Sequence, residues 1–552
     1  MSVQAASGSA AQAPAQAHVA NGGHPRRWTI LGVLVVSLLV VVLDNTVLNV
    51  ALRTIADPVH GLGASQSQLE WSINAYTLVF AGLLFTWGIL GDRIGRRRML
   101  VAGMVTFGLA SLLSAYAQTP DQLIGARALM GIGGAAVLPA TLSIISNVFD
   151  PRERGKAIGI WAGSVGLGVA IGPVLGGALL ERFWWGSVFL INVPIVVFGV
   201  IAILALVPES RDPKPGRVDL VGVGLSIVGL IGLVYGIVVG GDHGFGRLDA
   251  WGSIVGGLLV LGAFIWWERR IEFPSLDVKL FRDARFSASV GSVGLVFFAA
   301  MGTLFFMAFY LQLVRGYSPL ESGLLYLPFA AAQLIFAPRS ATYVHRYGPK
   351  VVCAVGLAIA GAAIAGYLAL GATTPIWVLG VLFFFQGLGM ANVMPPATES
   401  IMASLPREKA GVGSAIGNTV RQVAGALGIA ILGSLLSGVY RSQISNHLGA
   451  LPAGSRTDAG SSISSTYAAA QQVGQHSPAA AGRLVDAGNT AFISAMHWAS
   501  LGAAFAALVG VVVVLVWLPS KSGLQAVEPP SATPESELES LGEQFELAET
   551  GR

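Results

Sequence analysis

The sequence predicts an all-α membrane protein. Fourteen transmembrane helices form two six-helix bundles, related as parallel pseudo-repeats, with two further helices inserted between them. Three observations predict it. Only 11% of the 552 residues are charged and 54% are hydrophobic, whereas soluble domains carry about 25% charged residues. Apolar segments of roughly 18–28 residues recur along the chain, each long enough to cross a hydrocarbon core as a helix. A turn sequence also recurs. "GILGDRIGRRR" (88–98) follows the second apolar segment and "ATYVHRYGPK" (341–350) follows the tenth. Asp92-Arg93-Ile94-Gly95 corresponds to His345-Arg346-Tyr347-Gly348, the footprint of two parallel halves.

The predicted spans are 28–50, 66–90, 98–117, 121–147, 155–180, 185–206, 217–239, 250–267, 286–313, 323–344, 349–370, 375–402, 410–436 and 495–518. An even number puts both termini on one side of the membrane. Twenty-four of the 33 Lys and Arg residues fall on that side and seven on the other, so the termini are predicted to be cytoplasmic. Net charge is +4 and the isoelectric point about 9.2. The basic residues sit in short loops between apolar runs, which reads as a topology signal and not as a nucleic-acid surface.

Five regions follow from this layout. Residues 1–27 are Ala-, Gln-, Gly- and Ser-rich, lack the apolar core of a secretion signal, and read as a disordered cytoplasmic arm. Residues 28–206 form the N-terminal six-helix bundle. Residues 207–285 form a linker with two inserted transmembrane helices. Residues 286–518 form the C-terminal bundle, with a long extracellular loop at 437–494. That loop reads either as a mobile or partly helical connection or as a lid over an outer opening. Residues 519–552 are Pro-, Ser- and Glu-rich and read as a disordered cytoplasmic tail. Cys353 is the single cysteine, which excludes an intrachain disulfide and a cysteine metal cluster.

Taken in order, the spans carry a small set of polar residues. In the first, "LLVVVLDNTVLNVAL" (38–52) places Asp44 inside an apolar run. A charged aspartate at a helix centre costs roughly 2.5–3.5 kcal/mol on insertion scales. Either neighbouring donors satisfy it structurally, or it carries a proton as its surroundings change. In the second, Trp71 and Asn74 are three apart and share a helix face. In the turn that follows, Gly88 permits close helix approach and Gly95 a tight turn. Asp92 stands at a helix C-terminus, where the dipole disfavours negative charge, so it needs a partner such as a local arginine or another helix's N-terminus.

The fourth span holds Arg127, in "LIGARALMGIGGAA" (123–136). Spans one and four run in opposite directions, and Asp44 and Arg127 each lie about six residues from the outer end. Both therefore sit roughly 9 Å below the outer boundary, at equal depth, and can meet. A static buried ion pair is the competing reading. In the fifth span, "GVAIGPVLGGALL" (168–180) puts Gly168, Gly172 and Gly176 on one face beside Gly177, while Pro173 permits a kink. Ordinary tight packing and a bending helix both fit. Glu399, near the inner end of span twelve, reads either as an interfacial acid or as a functional one. Arg421 lies deeper, in span thirteen, and reads as a functional or a structural arginine.

No phosphate-binding loop, no H-E-x-x-H motif and no sizeable soluble domain is present. Energy for pumping would have to come from an ion gradient, where a monovalent charge crossing 100 mV is worth about 2.3 kcal/mol. At this point the motifs match a known family. "LDNTVLNVAL" (43–52), "GILGDRIGRRR", "LIGARALMGIGGAA" and "GVAIGPVLGG" resemble, in order, four signatures of the major facilitator superfamily. They are similar to its fourteen-span drug:proton antiporter branch. "WWGSVFLINVP" (184–194) resembles the same branch, with Trp184-Trp185-Gly186 where Trp-Arg-Trp is usual. The likeness covers about residues 28–518.

The resemblance implies a proton-coupled exporter of amphipathic, cationic or antibiotic-like small molecules, working by alternating access. It implies a monomer in the bacterial cytoplasmic membrane whose partners are the drug, protons and the lipid bilayer. It implies no enzyme activity, no cofactor, no metal and no nucleic acid. The alternative is a proton-coupled transporter of one specific solute. By position, Asp44 and Arg127 would couple protons. Gly88, Asp92, Arg93, Gly95 and Arg96 would form a cytoplasmic gate, and Gly168, Gly172, Pro173, Gly176 and Gly177 the antiporter hinge. Asn45, Asn49, Trp71, Asn74, Gln386 and Asn392 would supply the polarity of a substrate cavity. Glu399 and Arg421 would be a second acid and base. The second turn motif has His345 for the acid and Ala341 for the glycine, so it would not form a symmetric second latch.

Overall fold

A computed structural model describes residues 24–211, 219–272, 274, 276, 278–404, 410–450, 456 and 459–518. The arm up to residue 23 and the tail from 519 lie outside the described residues, as do the side chains of Ala341, His345, Glu399 and part of the fifth long helix. The first half runs through α1 (Arg27–Ala56), α2 (Gln66–Ile94), α3 (Arg96–Ala115), α4 (Pro120–Val148), α5 (Pro151–Arg182), the short α6 (Ser187–Leu190) and α7 (Asn192–Leu206). Two helices follow, α8 (Leu220–His243) and α9 (Leu248–Glu268). The second half comprises α10 (Ala284–Phe309), α11 (Pro319–Leu325), α12 (Leu327–Ala365), α13 (Ile376–Ala391), α14 (Met394–Ala403), α15 (Ala410–Ile444), α16 (Ile463–Gly474) and α17 (Pro478–Trp517).

Side chains start these helices where the chain leaves a turn. Ser65 and Gln68 form a reciprocal cap on α2, and Ser318 and Glu321 do the same on α11. Thr119 caps α4 and Ser477 caps α17, each with proline at the first helical position. Such caps satisfy backbone donors that the helix itself leaves free.

Twelve described helical stretches are long and apolar enough to cross a membrane. They become thirteen when the bent pair Gln66–Leu84 and Thr86–Ile94 is taken as one span. The remaining predicted segment, 155–180, falls within α5, a helix of 32 residues. Twelve or thirteen candidate spans among the described residues thus stand against the fourteen expected, and a helix occupies each predicted position.

In the first half α1 packs on α5, α2 on α4, and α3 on α4 and α7. In the second half α12 packs on α13 and α17, and α10 on α15 and α17. The inserted α8 pairs with α9 and also lies against α2 and α15, one helix from each half. Leu78, Val234, Val238, Ala426 and Ala430 bury together at that three-helix junction. The outermost helix, α9, leaves Trp251, Leu258, Leu259 and Trp266 exposed, as a lipid-facing helix should.

The repeated turn is visible in the backbone. Gly95, between α2 and α3, has φ +122°, and Gly348, at the break inside α12, has φ +81°. Both values fall where only glycine sits without strain. The segment 437–494 departs from a simple loop. α15 continues to Ile444, α16 occupies Ile463–Gly474, and α17 begins at Pro478. Ala-rich polar sequence has high helix propensity but no apolar signature, so hydropathy alone ends the spans too early. The Tyr467 hydroxyl of α16 lies 2.9 Å from the carbonyl of Leu313 and 3.0 Å from Asn489 Oδ1, within hydrogen-bond reach of the segment after α10 and of α17.

The two halves meet on the side opposite the termini. There Gln312 donates to the carbonyl of Val50 at 2.9 Å, and Ser318 donates to Glu181 at 2.7 Å. α5 and α11 cross at backbone distance. A Cβ on Gly177 would stand 2.5 Å from the Leu320 Cα, and one on Gly323 would stand 2.6 Å from the Pro173 carbonyl carbon. Replacing Gly323 by leucine is therefore expected to push the halves apart on that side. Spin labels at Glu181 and Ser318 should report a longer mean distance in Gly323→Leu than in the unmodified chain, with the helical content unchanged.

Candidate functional site

Asp44 lies in the middle of α1 with 2% of its surface exposed, and Arg127 of α4 is fully buried. They form an ion pair through Arg127 Nη1 and Asp44 Oδ2. Arg127 Nε donates to the carbonyl of Ser72 in α2 at 2.9 Å. Its guanidinium carbon stands 4.5 Å from the centre of the Tyr76 ring and 5.8 Å from that of Phe189. The cation thus has an anion, a carbonyl dipole and two ring faces around it. On the other side of the carboxylate, Asn192 Nδ2 donates to Asp44 Oδ1 at 3.3 Å and also approaches Ser111 Oγ at 3.0 Å. Ser111 donates in turn to the carbonyl of Phe189 at 2.8 Å. Five helices, α1, α2, α3, α4 and α7, therefore converge on one buried charge pair. Breaking such a pair by removing one partner typically costs about 3–5 kcal/mol.

The glycines of α5 pack this helix onto the turn of α1 that carries Asp44. Gly168 faces Val42 and Leu39, Gly172 faces Thr46, and Gly176 faces Val47. Gly177 turns away from α1 and meets Leu320 of the other half, while the Pro173 carbonyl meets Gly323. The expected hinge residues are thus split. Three seat α5 against α1 within one half, and two touch the partner half.

The polar residues assigned to a cavity fall in three places. Asn45 donates to Tyr76 Oη at 3.2 Å and to the carbonyl of Val41, and Asn49 donates to the carbonyl of Asn45. Both are partly exposed beside the charge pair. Trp71 stacks obliquely on Tyr235 of α8, with ring centres 6.3 Å apart. Asn74 is fully buried, and neither of its amide atoms has a hydrogen-bond partner among the described residues. In the second half, Gln386 accepts from Tyr367 Oη and donates to Thr303 Oγ1 at 3.1 Å. Asn392 donates to its own helix, to the carbonyl of Leu388. These residues do not form one contiguous polar surface. Arg421 lies over the Phe297 ring at 5.6 Å.

At the first turn motif, Asp92 finds the local partner that its place at a helix end requires. Arg96 Nε donates to its carboxylate at 2.9 Å. Gly88 packs on Pro139, and Arg93 is exposed. Glu209 sits directly over Gly95, accepts from the Arg97 backbone N–H at 3.1 Å, and lies 3.8 Å and 3.6 Å from the Arg97 and Arg98 guanidinium groups. Arg96, within the motif, and Glu209, just beyond α7, thus clasp this turn.

Sequence reasoning missed three residues here. Asn192 interrupts an apolar run just as Asp44 does, and that interruption was its signal. Glu209 is an acid just past a span, which reads as ordinary loop charge. Glu70 is an acid five residues into α2 and only 2% exposed; its nearness to the helix start disguises it as an interfacial group.

The family model described as Major Facilitator Superfamily matches residues 34–429. The multidrug efflux pump LfrA of Mycolicibacterium smegmatis is 36% identical over 494 residues, covering 88% of this chain and 96% of that protein. The methyl viologen resistance protein SmvA of Salmonella typhimurium is 35% identical, covering 85% and 93% respectively. Among solved structures, a bacterial homologue of the human lysosomal transporter Spinster, in an inward-facing and unoccupied conformation, superposes with a TM-score of 0.62 at 17% identity. It covers 91% of this chain and 100% of that one.

The geometry around Asp44 predicts strong non-additivity. Arg127→Met alone leaves a buried carboxylate without its cation and should lower the thermal midpoint in detergent sharply. Adding Asp44→Asn to it should restore part of that loss, with a coupling energy of roughly 1–3 kcal/mol from the double-mutant cycle. Simple additivity would mean the two side chains do not share one buried interaction.

Proposed function

The chain belongs to the Major Facilitator Superfamily and is a multi-pass membrane transporter; on that premise we propose that it exports amphipathic, cationic or antibiotic-like small molecules in exchange for protons. The reading includes a bacterial cytoplasmic membrane, both termini in the cytoplasm, and a single chain as the working unit. The names of LfrA and SmvA support the substrate class. The excess of Lys and Arg on the terminal side supports the orientation. With that orientation, the halves are closed toward the outside, so substrate enters from the cytoplasm or the inner leaflet.

The observation that carries the proton-coupling part is the Asp44–Arg127 pair. A carboxylate removed from water binds a proton more readily, and a guanidinium beside it opposes that, so modest movements tip the balance. Protonation cancels the charge that holds Arg127 in place. Arg127 also holds α2 through the Ser72 carbonyl, so loosening it removes a polar tie between α2 and α4. The same turn of α1 is seated on α5 at Gly172 and Gly176, and α5 touches the other half at Gly177 and Pro173. A proton arriving at Asp44 therefore acts on the contact between the halves through one intervening helix. Pairwise closure of that contact is what alternating access requires.

The test is transport in vesicles of defined orientation under an imposed pH gradient. Ethidium movement should depend on the gradient and collapse with a proton uncoupler. Asp44→Asn should fall to the uncoupled background while retaining ethidium binding. Gradient-driven transport at the unmodified rate in Asp44→Asn would remove Asp44 from the coupling role. Transport that ignores the gradient in the unmodified chain would overturn proton exchange altogether.

A further inference from the structure

α2 carries a second set of buried polar side chains that the charge pair does not use. Gln66, Glu70 and Asn74 are spaced by four, so they stack along one face of the helix. Their surfaces are 8%, 2% and 0% exposed. The face is turned toward α15. A Cβ on Gly433 of α15 would stand 2.7 Å from the Glu70 carboxyl carbon, so this glycine makes the room the acid occupies. Leu78, the next residue in the same register, packs against Ala426 and Ala430 of α15 and against Val234 and Val238 of α8. Asn74 therefore lies between two points of contact with the other half. α8, with Tyr235 against Trp71, covers this seam on its flank.

Closed as it is here, the seam is chemically costly. Among the described residues, Asn74 has neither amide atom paired, and Gln66 Nε2 has no partner either. A buried polar group left unpaired costs roughly 1–3 kcal/mol. Such a cost is relieved by a state in which the seam opens and water or substrate reaches the ladder. Depth points the same way. Arg127 donates to the Ser72 carbonyl, and Glu70 is two residues nearer the outer end of α2, about 3 Å further out. The ladder thus begins beside the charge pair and leads outward along the contact between the halves.

We propose that Gln66, Glu70 and Asn74 line the outward exit path, and that Glu70 selects positively charged substrate as it leaves. A carboxylate flanked along the helix by two amides offers a cation charge and hydrogen bonds; a neutral molecule gains nothing from the charge. The assignment rests on the exporter reading and adds to it the group that makes the pump prefer cations.

Two measurements test it. Cys353 is the only cysteine, so Cys353→Ala gives a background in which Asn74→Cys can be labelled by a membrane-impermeant maleimide added from outside. Labelling should occur, and should speed up several-fold under a proton gradient. No labelling in either condition would overturn the exit path, whether or not any substrate is transported. In proteoliposomes, Glu70→Gln should raise the half-saturating concentration of ethidium roughly tenfold. Its maximal rate should stay near that of the unmodified chain, and Glu70→Asp should recover most of the loss. An unchanged half-saturating concentration, or equal loss of rate in both variants, would overturn the role of Glu70. If the unmodified chain moved no ethidium under a gradient, the exporter reading would fail, and the labelling result would still decide whether the ladder opens.

Discussion

A carboxylate and a guanidinium facing each other inside hydrocarbon set the terms for the rest of this molecule. Neither group can be buried alone at a bearable cost, and together they call for further polar partners, although Arg127 Nη2 finds none among the described residues. That requirement explains why so many helices converge at one level. The Ser72 carbonyl, the Tyr76 ring and Asn192 each satisfy a direction that the pair leaves open. Helices α1, α2, α4 and α7 are thus pinned by electrostatics as well as by packing. A change of one proton is felt by all four.

Small residues convert that local change into a larger one. Without side chains at Gly172 and Gly176, α5 rides on the backbone of α1 next to Asp44, and it presents Gly177 and the Pro173 carbonyl to α11. The contacts are close enough that α1 and α5 move as neighbours must, by sliding or rotating together. In hydrocarbon there is little hydrophobic force to drive helices together, so close approach and dispersion hold such contacts. The interface between halves combines such close approach with a few hydrogen bonds, such as Gln312 to Val50, and apolar contact, as of Leu78 with Ala426 and Ala430.

The fold was largely legible in the sequence because the bilayer imposes it. Spans announce themselves by length, and the repeated turn announces the two halves; Gly95 and Gly348 carry the same left-handed backbone in both. The outer segment was legible only in part, because α16 and the start of α17 are helical through alanine and capping serines, which hydropathy does not register. At the site, Asp44 and Arg127 could be paired from depth alone, since two helices of opposite direction fix their heights. Lateral position has no such signature. The sequence could not tell that Trp71 turns toward α8, that Gln386 bonds to Tyr367 and Thr303, or that Gly177 faces the other half while Gly176 does not. Glu70 and Asn192 were hidden for a related reason: burial is a property of neighbours, and their neighbours come from distant parts of the chain.

The two halves share a backbone plan but not its charges. The first half holds a buried ion pair and a turn clasped by Asp92, Arg96 and Glu209. The second half holds a neutral cluster of Tyr367, Gln386 and Thr303 and, over the Phe297 ring, the cation of Arg421. Neutral hydrogen bonds between hydroxyl and amide change little when a proton arrives, whereas an ion pair changes its net charge. The α2–α15 seam joins the half that holds the ion pair to the other half. Helix α2 takes part on both sides of that seam, holding Arg127 through Ser72 and facing Gly433 with Glu70 two residues away. A rotation of α2 large enough to release the first contact cannot leave the second unchanged, because a rigid helix turns all of its faces at once.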